Sequence, residues 1–186
     1  MKKRLLALIL LGAQSLTLQA AGYIVDYKGA HASINFKVKH LGYSWLTGRF
    51  NKFDGKFSYD SNNVSASKVS INIDTTSVDS NHSERDKHLR GKKFLEVNDF
   101  STASFVSSKV EDLGNDKLKI SGILSLHGVK KDIVIDAYKI GEGKDPWGGY
   151  RAGFSGTTSI MMKDFGFNKD FGQIDFELHL EGIKQK

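Results

Sequence analysis

A period of two governs most of this chain. Ile34, Phe36 and Val38 alternate with Ser33, Asn35, Lys37 and Lys39, and Val69, Ile71 and Ile73 with Ser70, Asn72 and Asp74. Phe53, Gly55, Phe57 and Tyr59 alternate with Asp54, Lys56 and Ser58. Near the C-terminus Ile174, Phe176, Leu178 and Leu180 alternate with Asp175, Glu177, His179 and Glu181. Successive strand side chains point to opposite faces, so each run predicts a strand with one apolar and one wet face. Leu118, Ile120, Gly122, Leu124 and Leu126 form another such run, with Ile123 the exception on its polar side. Residues 133–140 and 150–162 add further strands, with 141–149 read as the longer loop between them. Clusters such as Asp60-Ser61-Asn62-Asn63 and Gly114-Asn115-Asp116 supply turns. A single Pro, 19 Gly, 12 Phe and 6 Tyr suit strands and tight turns better than a helical bundle.

One segment departs from the rule. Residues 79–93 are polar without a two-residue period, and Asn81 followed by Glu84 reads as an N-cap with its reciprocal carboxylate. Gly91 marks a plausible end, and Phe94 and Leu95 are expected to tuck back onto the sheet. About eight antiparallel strands with one short helical insertion make an all-β domain, either a closed barrel or a sandwich. A barrel of about eight strands is either filled by side chains or holds one small ligand. If it closes, Ile120 and Leu124 point into the lumen. Neither repeat nor Pro-rich linker divides the chain, so it reads as one domain.

The N-terminus is built differently. Lys2, Lys3 and Arg4 precede an apolar run from Leu5 to Ala13, and small residues follow at Ala20-Ala21-Gly22. This is the layout of a secretory signal peptide. Gln14 and Ser15 break the run short of the ~18 apolar residues of a membrane span. The division expected is therefore a signal peptide over 1–20, cleaved after Ala20, and a domain over 21–186 that is released to the periplasm without stable membrane insertion. Without its three basic leader residues the formal charge falls from +6 to +3. So mild an excess makes no case for nucleic acid. The absence of Cys excludes disulfides, thiolate metal sites and cysteine nucleophiles.

Six histidines are the first place to look for metal or catalysis. His82 and Asp86, and Glu84 and His88, are i, i+4 pairs, but they point along different faces and no His-Glu-x-x-His is present. The expectation is a capped surface helix, with Arg85 and Asp86 tied to loop backbone, and no metal. Gly153-Phe154-Ser155-Gly156 approaches a nucleophile elbow, yet Thr157 stands where the second Gly is required. Gly141-Glu142-Gly143 lacks the third Gly of a dinucleotide loop. No catalytic residue and no cofactor are therefore assigned. The aromatic residues are the better lead, because an excess of Phe suits either a Phe-rich core or an apolar ligand cavity with few polar groups.

Five stretches carry a resemblance. His31 through Phe50, followed by Phe53-Asp54-Gly55, is the first, and Asp74 through Arg90, with Arg85-Asp86-Lys87-His88-Leu89, is the second. Leu124 to Val129, Asp145 to Gly149 and Arg151 to Phe154 complete the set. Over about 23–185 the chain resembles the YceI-like family of bacterial periplasmic proteins. The resemblance implies a lipocalin-like closed antiparallel barrel that encloses a long isoprenoid lipid, such as a quinone or polyprenyl phosphate, without chemistry of its own. It implies Phe36, Tyr43, Trp45, Phe50 and Phe57 as cavity residues, and Phe154 joins Ile120 and Leu124 in that set. His40 and Arg85 are the residues to meet a polar head group, although each also has a structural explanation. Phe100-Ser101 stands where the family commonly has Tyr-Pro, which frees a backbone N–H before the next strand. Alternatives are a fatty-acid or fatty-amide binder, since an apolar tube hardly separates acyl from isoprenoid, and an enzyme acting on a lipid head group.

Overall fold

The computed structural model describes residues 20–186, so the segment read as a signal peptide lies, apart from Ala20, outside the described residues. The strands are β1 (Ala21–Val25), β2 (Ser33–His40), β3 (Ser44–Phe50), β4 (Phe53–Tyr59), β5 (Lys68–Asp74) and β6 (Val78–Asp79). They continue as β7 (Thr102–Asp112), β8 (Lys117–Leu126), β9 (Val129–Lys144), β10 (Tyr150–Met161) and β11 (Gln173–Lys184), and one helix, α1, spans Ser83–Arg90.

All the pairings are antiparallel, and β1 closes the ring against β11 through Tyr23↔Lys184 to Val25↔Gly182. Three pairs of strands are single staves interrupted locally. β1 and β2 share the edge of β11, and β3 and β4 run along both of them. β5 and β6 run along β4 and β3, separated by a 3-10 turn at Thr75–Ser77. The result is the expected closed eight-stranded antiparallel barrel, with each stave next to its neighbour in sequence. Closure through β1 and β11 removes the free edge strands that an open sheet would present.

Up-and-down order sorts the connections to two ends. The 41–43 and 127–128 turns, the 80–101 segment carrying α1, and the 162–172 segment lie at one end. The 60–67, 113–116 and 145–149 connections and the C-terminus lie at the other. That second end is packed with aromatic rings. Tyr23 stacks on Phe57 with centroids 4.8 Å apart, and Phe154 meets Phe57 and Tyr59 edge-on at 5.5 and 5.1 Å. Gly182 makes this possible, because a Cβ there would overlap the Phe57 ring. Around the same end, outside the barrel, Arg151 donates to Asp26 at 2.7 Å, Glu181 at 2.6 Å and Asp145 at 3.0 Å. This ties the 26–32 excursion to β10 and β11.

Two local expectations need correction. The residue capping α1 is His82, not Asn81. Asn81 adopts φ 60°, and its N–H donates to Asp79, whereas His82 is extended and its Nδ1 accepts from Arg85 N at 3.2 Å. Glu84 turns to Lys87 Nζ at 2.7 Å instead of reaching back to the cap. The expected 141–149 loop is also too long. β9 continues to Lys144 opposite Tyr150, and only 145–149 turns. Gly141 and Gly143 carry no side chain, so the alternation that marks a strand vanishes there although pairing continues. Asp145 makes the turn by accepting from the N–H groups of Trp147 and Gly149, at 3.0 and 2.7 Å.

Candidate ligand-binding cavity

Above the aromatic plug the barrel is hollow. A cavity of about 400 Å³ runs from Phe154 to the end covered by α1, within the usual range for small-molecule pockets of ~300–1,000 Å³. Its walls follow from the alternation. Ile34, Phe36 and Val38 of β2 face in, as do Ile120, Leu124 and Leu126 of β8 and the apolar face of β11. Phe36, Ile120, Phe154, Phe176, Leu178 and Leu180 pack on the core yet are only partly buried. Inward-facing apolar side chains that retain exposed area bound space that the protein does not fill. The Phe36 ring is laid flat by Gly48 opposite, where a Cβ would collide with it, and it tilts against Phe50 at 5.8 Å.

The expected site residues divide into three groups. Phe36, Phe50, Ile120, Leu124 and Phe154 stand together on the cavity wall. Phe57 lies below it, in the plug. Tyr43 and Trp45 are outside, 89% and 54% exposed, against the cavity role the resemblance suggested. The reason is phase: Leu46 and Phe50 point inward from β3, so Trp45, an odd number of residues away, points outward, where Lys37 Nζ lies 4.8 Å from its ring. Tyr43 sits in the turn itself.

Besides Ser155 and Thr158 on the wall, the polar groups gather where the cavity opens. His40 and Lys39 reach it from the β2 terminus, and Arg85 and His88 from α1. Arg85 is committed to holding the helix. Its Nε donates to Ser80 Oγ at 2.8 Å and its Nη2 to Ser80 O, while the buried Asp86 accepts from Ser80 N at 2.9 Å. Arg90 adds a bond to Val78 O at 3.1 Å. The helix carboxylates and histidines therefore have separate tasks, and those side chains do not converge. Among the described residues the one carboxylate–histidine cluster with metal-like spacing is Asp26, His31 and Glu181. Arg151 sits between its two carboxylates and, with His31, holds the Asp26 carboxyl down to about 2. A cation already occupies that position.

The sequence brings Phe94 and Leu95 back onto the sheet, as the structure has them, but does not show that they form a roof. Leu89, Phe94, Leu95, Phe167 and Phe171 cover the cavity from the segments 80–101 and 162–172. His127 links the two segments. Its Nδ1 donates to Phe165 O at 3.1 Å, and its ring stacks on Phe167 at 4.9 Å and against Phe100 at 4.5 Å. Where the Tyr-Pro pair is absent, Phe100 O and Ser101 O accept from Thr75 Oγ1 and Thr75 N, at 2.7 and 2.9 Å, which fixes the start of β7.

Ser155 Oγ lies 3.1 Å from His179 Nδ1, and His179 Nε2 lies 3.3 Å from Glu177 Oε1. The order resembles a nucleophilic triad, but Ser155 sits mid-strand between β9 and β11. The ladder occupies its backbone donors, so no pair of N–H groups is aimed at a developing oxyanion. The arrangement ties two strands together.

The YceI-like domain family matches residues 23–182. A UPF0312 protein of Shewanella denitrificans is 57% identical over 192 residues, with both chains covered in full. The Campylobacter jejuni YCEI protein is 30% identical with a TM-score of 0.72, covering 81% of this chain and 91% of that one. A polyisoprenoid binding domain from Saccharophagus degradans superimposes with a TM-score of 0.63 at 16% identity, covering 89% and 99%. Barrel, plug and roofed cavity thus sit on a sequence matched along nearly its whole described length, and the chain belongs to the YceI-like family.

Proposed function

We propose that this protein binds one long-chain isoprenoid or similar apolar lipid in its barrel and stores or carries it, without catalysis. The observation that carries this reading is the unfilled, mainly apolar cavity, closed below by aromatic rings and with its basic side chains at its roofed end. A hydrocarbon chain threaded toward Phe154 gains about 0.8 kcal/mol per CH₂ removed from water, so tight binding needs no specific polar contact. The head group then rests near His40, Lys39 and His88, where a quinone oxygen or a phosphate finds donors. A domain of that name in the Saccharophagus degradans protein supports the isoprenoid class. The charged n-region and apolar run before Ala20 support export and a working site in the periplasm, with 21–186 as the mature chain. Organic extraction of natively purified protein, followed by mass spectrometry, tests the reading. One isoprenoid per chain is the expected result. Fatty acids or fatty amides alone would replace the ligand class, and an empty extract together with no uptake of added polyprenol would end it.

A further inference from the structure

The cavity does not open onto an ordinary surface. Leu41, Tyr43 and Trp45 stand together on the β2–β3 hairpin tip, 66, 89 and 54% exposed. Leu41 adopts φ 50° and Gly42 φ 84°, the pair of left-handed residues in a tight hairpin turn where Asn-Gly serves the backbone best. A leucine held in that conformation and pointed into water gives the fold nothing. Lys39 and His40 flank the tip, and both reach the cavity. Ile174 pairs with Val38, so Phe171 emerges beside the tip; it is 46% exposed and stacks on Phe94 at 5.8 Å. Exposed Lys92, Lys93 and Lys169 gather there, held by Lys169 N to Lys93 O at 3.0 Å and Asn168 Nδ2 to Lys92 O at 2.7 Å. Asp170, also exposed, accepts from Gly172 N–H at 2.7 Å and leaves the lysines in excess by three to one in this group. The rim is thus apolar and aromatic with lysines around it.

We propose that this rim is a docking surface for an anionic phospholipid bilayer, with the hairpin tip seated among the head groups and the cavity mouth turned toward the membrane. Tyr and Trp are suited to the interface because their rings are apolar with a polar edge, and lysines complement anionic head groups. Phe94 and Phe171 belong both to this rim and to the cavity, so apolar surface runs unbroken from the docking face to the interior. The opposite end shows no such continuity. Trp147 there is 75% exposed, but it lies against Arg151 at 5.3 Å in the Asp145 turn, away from any opening.

Trp45 and Trp147 are the only tryptophans, so Trp147→Phe leaves Trp45 as the sole reporter. With vesicles of phosphatidylcholine containing about a third phosphatidylglycerol, Trp45 emission should shift to the blue and the protein should co-sediment, more weakly as salt is raised. Leu41→Ser combined with Tyr43→Ser, and separately Lys92→Glu combined with Lys93→Glu, should each cut co-sedimentation about tenfold at unchanged melting temperature. Docking does not need an accessible cavity, so Ile120→Trp should still co-sediment, which separates this surface from the binding reading. Absence of co-sedimentation by the wild-type chain at low salt would overturn the proposal. So would a blue shift of Trp45 that grows with protein concentration without lipid, because a second copy of the chain would then cover the tip.

Discussion

The two ends of this barrel are built from the same staves with the same alternation, yet one is solid and the other hollow. At the plugged end Tyr23, Phe57 and Tyr59 are 2, 7 and 7% exposed, and stacked rings leave no gap. Above the plug Phe176, Leu178 and Leu180 face inward from the same β11 and remain partly exposed. The difference lies in what stands opposite each side chain. Glycine at 182 admits a ring flat against the sheet, and three aromatic side chains converge on one level. Higher up, aliphatic residues share the wall with the rings of Phe36, Phe50 and Phe176, which do not meet across the axis and leave it empty. Facing inward therefore does not mean being packed.

Matched truncations are the strongest way to break this comparison. Phe57→Ala removes a ring from a filled layer and should cost about 3–5 kcal/mol in denaturant unfolding. Leu178→Ala only widens an existing space, so far fewer contacts are lost and about 1 kcal/mol is expected. Equal costs would mean the two ends are packed alike.

Arg151 gives the next effect in size. Arg151→Met leaves Asp26, Asp145 and Glu181 without their shared donor and should destabilise by about 2 kcal/mol. Because Arg151 and His31 lower the Asp26 carboxyl to about 2, its contribution is present above its ordinary value near 3.8 and disappears as pH falls toward 2. Acid titration of the melting temperature should thus show a steeper loss over that window in the wild type than in the variant. Parallel curves would remove Asp26 from the account.

Most of the strands, and their rough number, are legible in the sequence because period-two alternation is a local property of each run; β1 and β3 carry no such run and do not read as strands. The sequence did not show the roof. Phe94 and Leu95 are expected to turn back onto the sheet, but Phe167 and Phe171 lie in an irregular segment, where no period reports which side chain turns inward. Cavity assignments by resemblance did least well on the hairpin, where Trp45 differs from its inward neighbour Leu46 by one position in phase. Nor could alternation separate Phe57 from Phe36. Both face inward and each lies over a glycine, Gly182 and Gly48; only the neighbouring rings of Tyr23 and Phe154 place Phe57 in the plug, while Phe36 borders the open space.

Ile120→Trp in delipidated protein tests the central claim most directly. Ile120 faces the cavity from β8, opposite Val110 and Ile135, and the larger side chain has empty space to enter. A hollow barrel predicts that titrated polyprenol no longer binds. The apo melting temperature should move by only about 2–4 °C, the equivalent of roughly 1 kcal/mol in a domain of this size. Lys119→Trp, one position away, should leave binding intact. A filled interior would instead be overpacked, and a loss of about 3 kcal/mol or more in the apo protein, with ligand binding unchanged, would contradict the account.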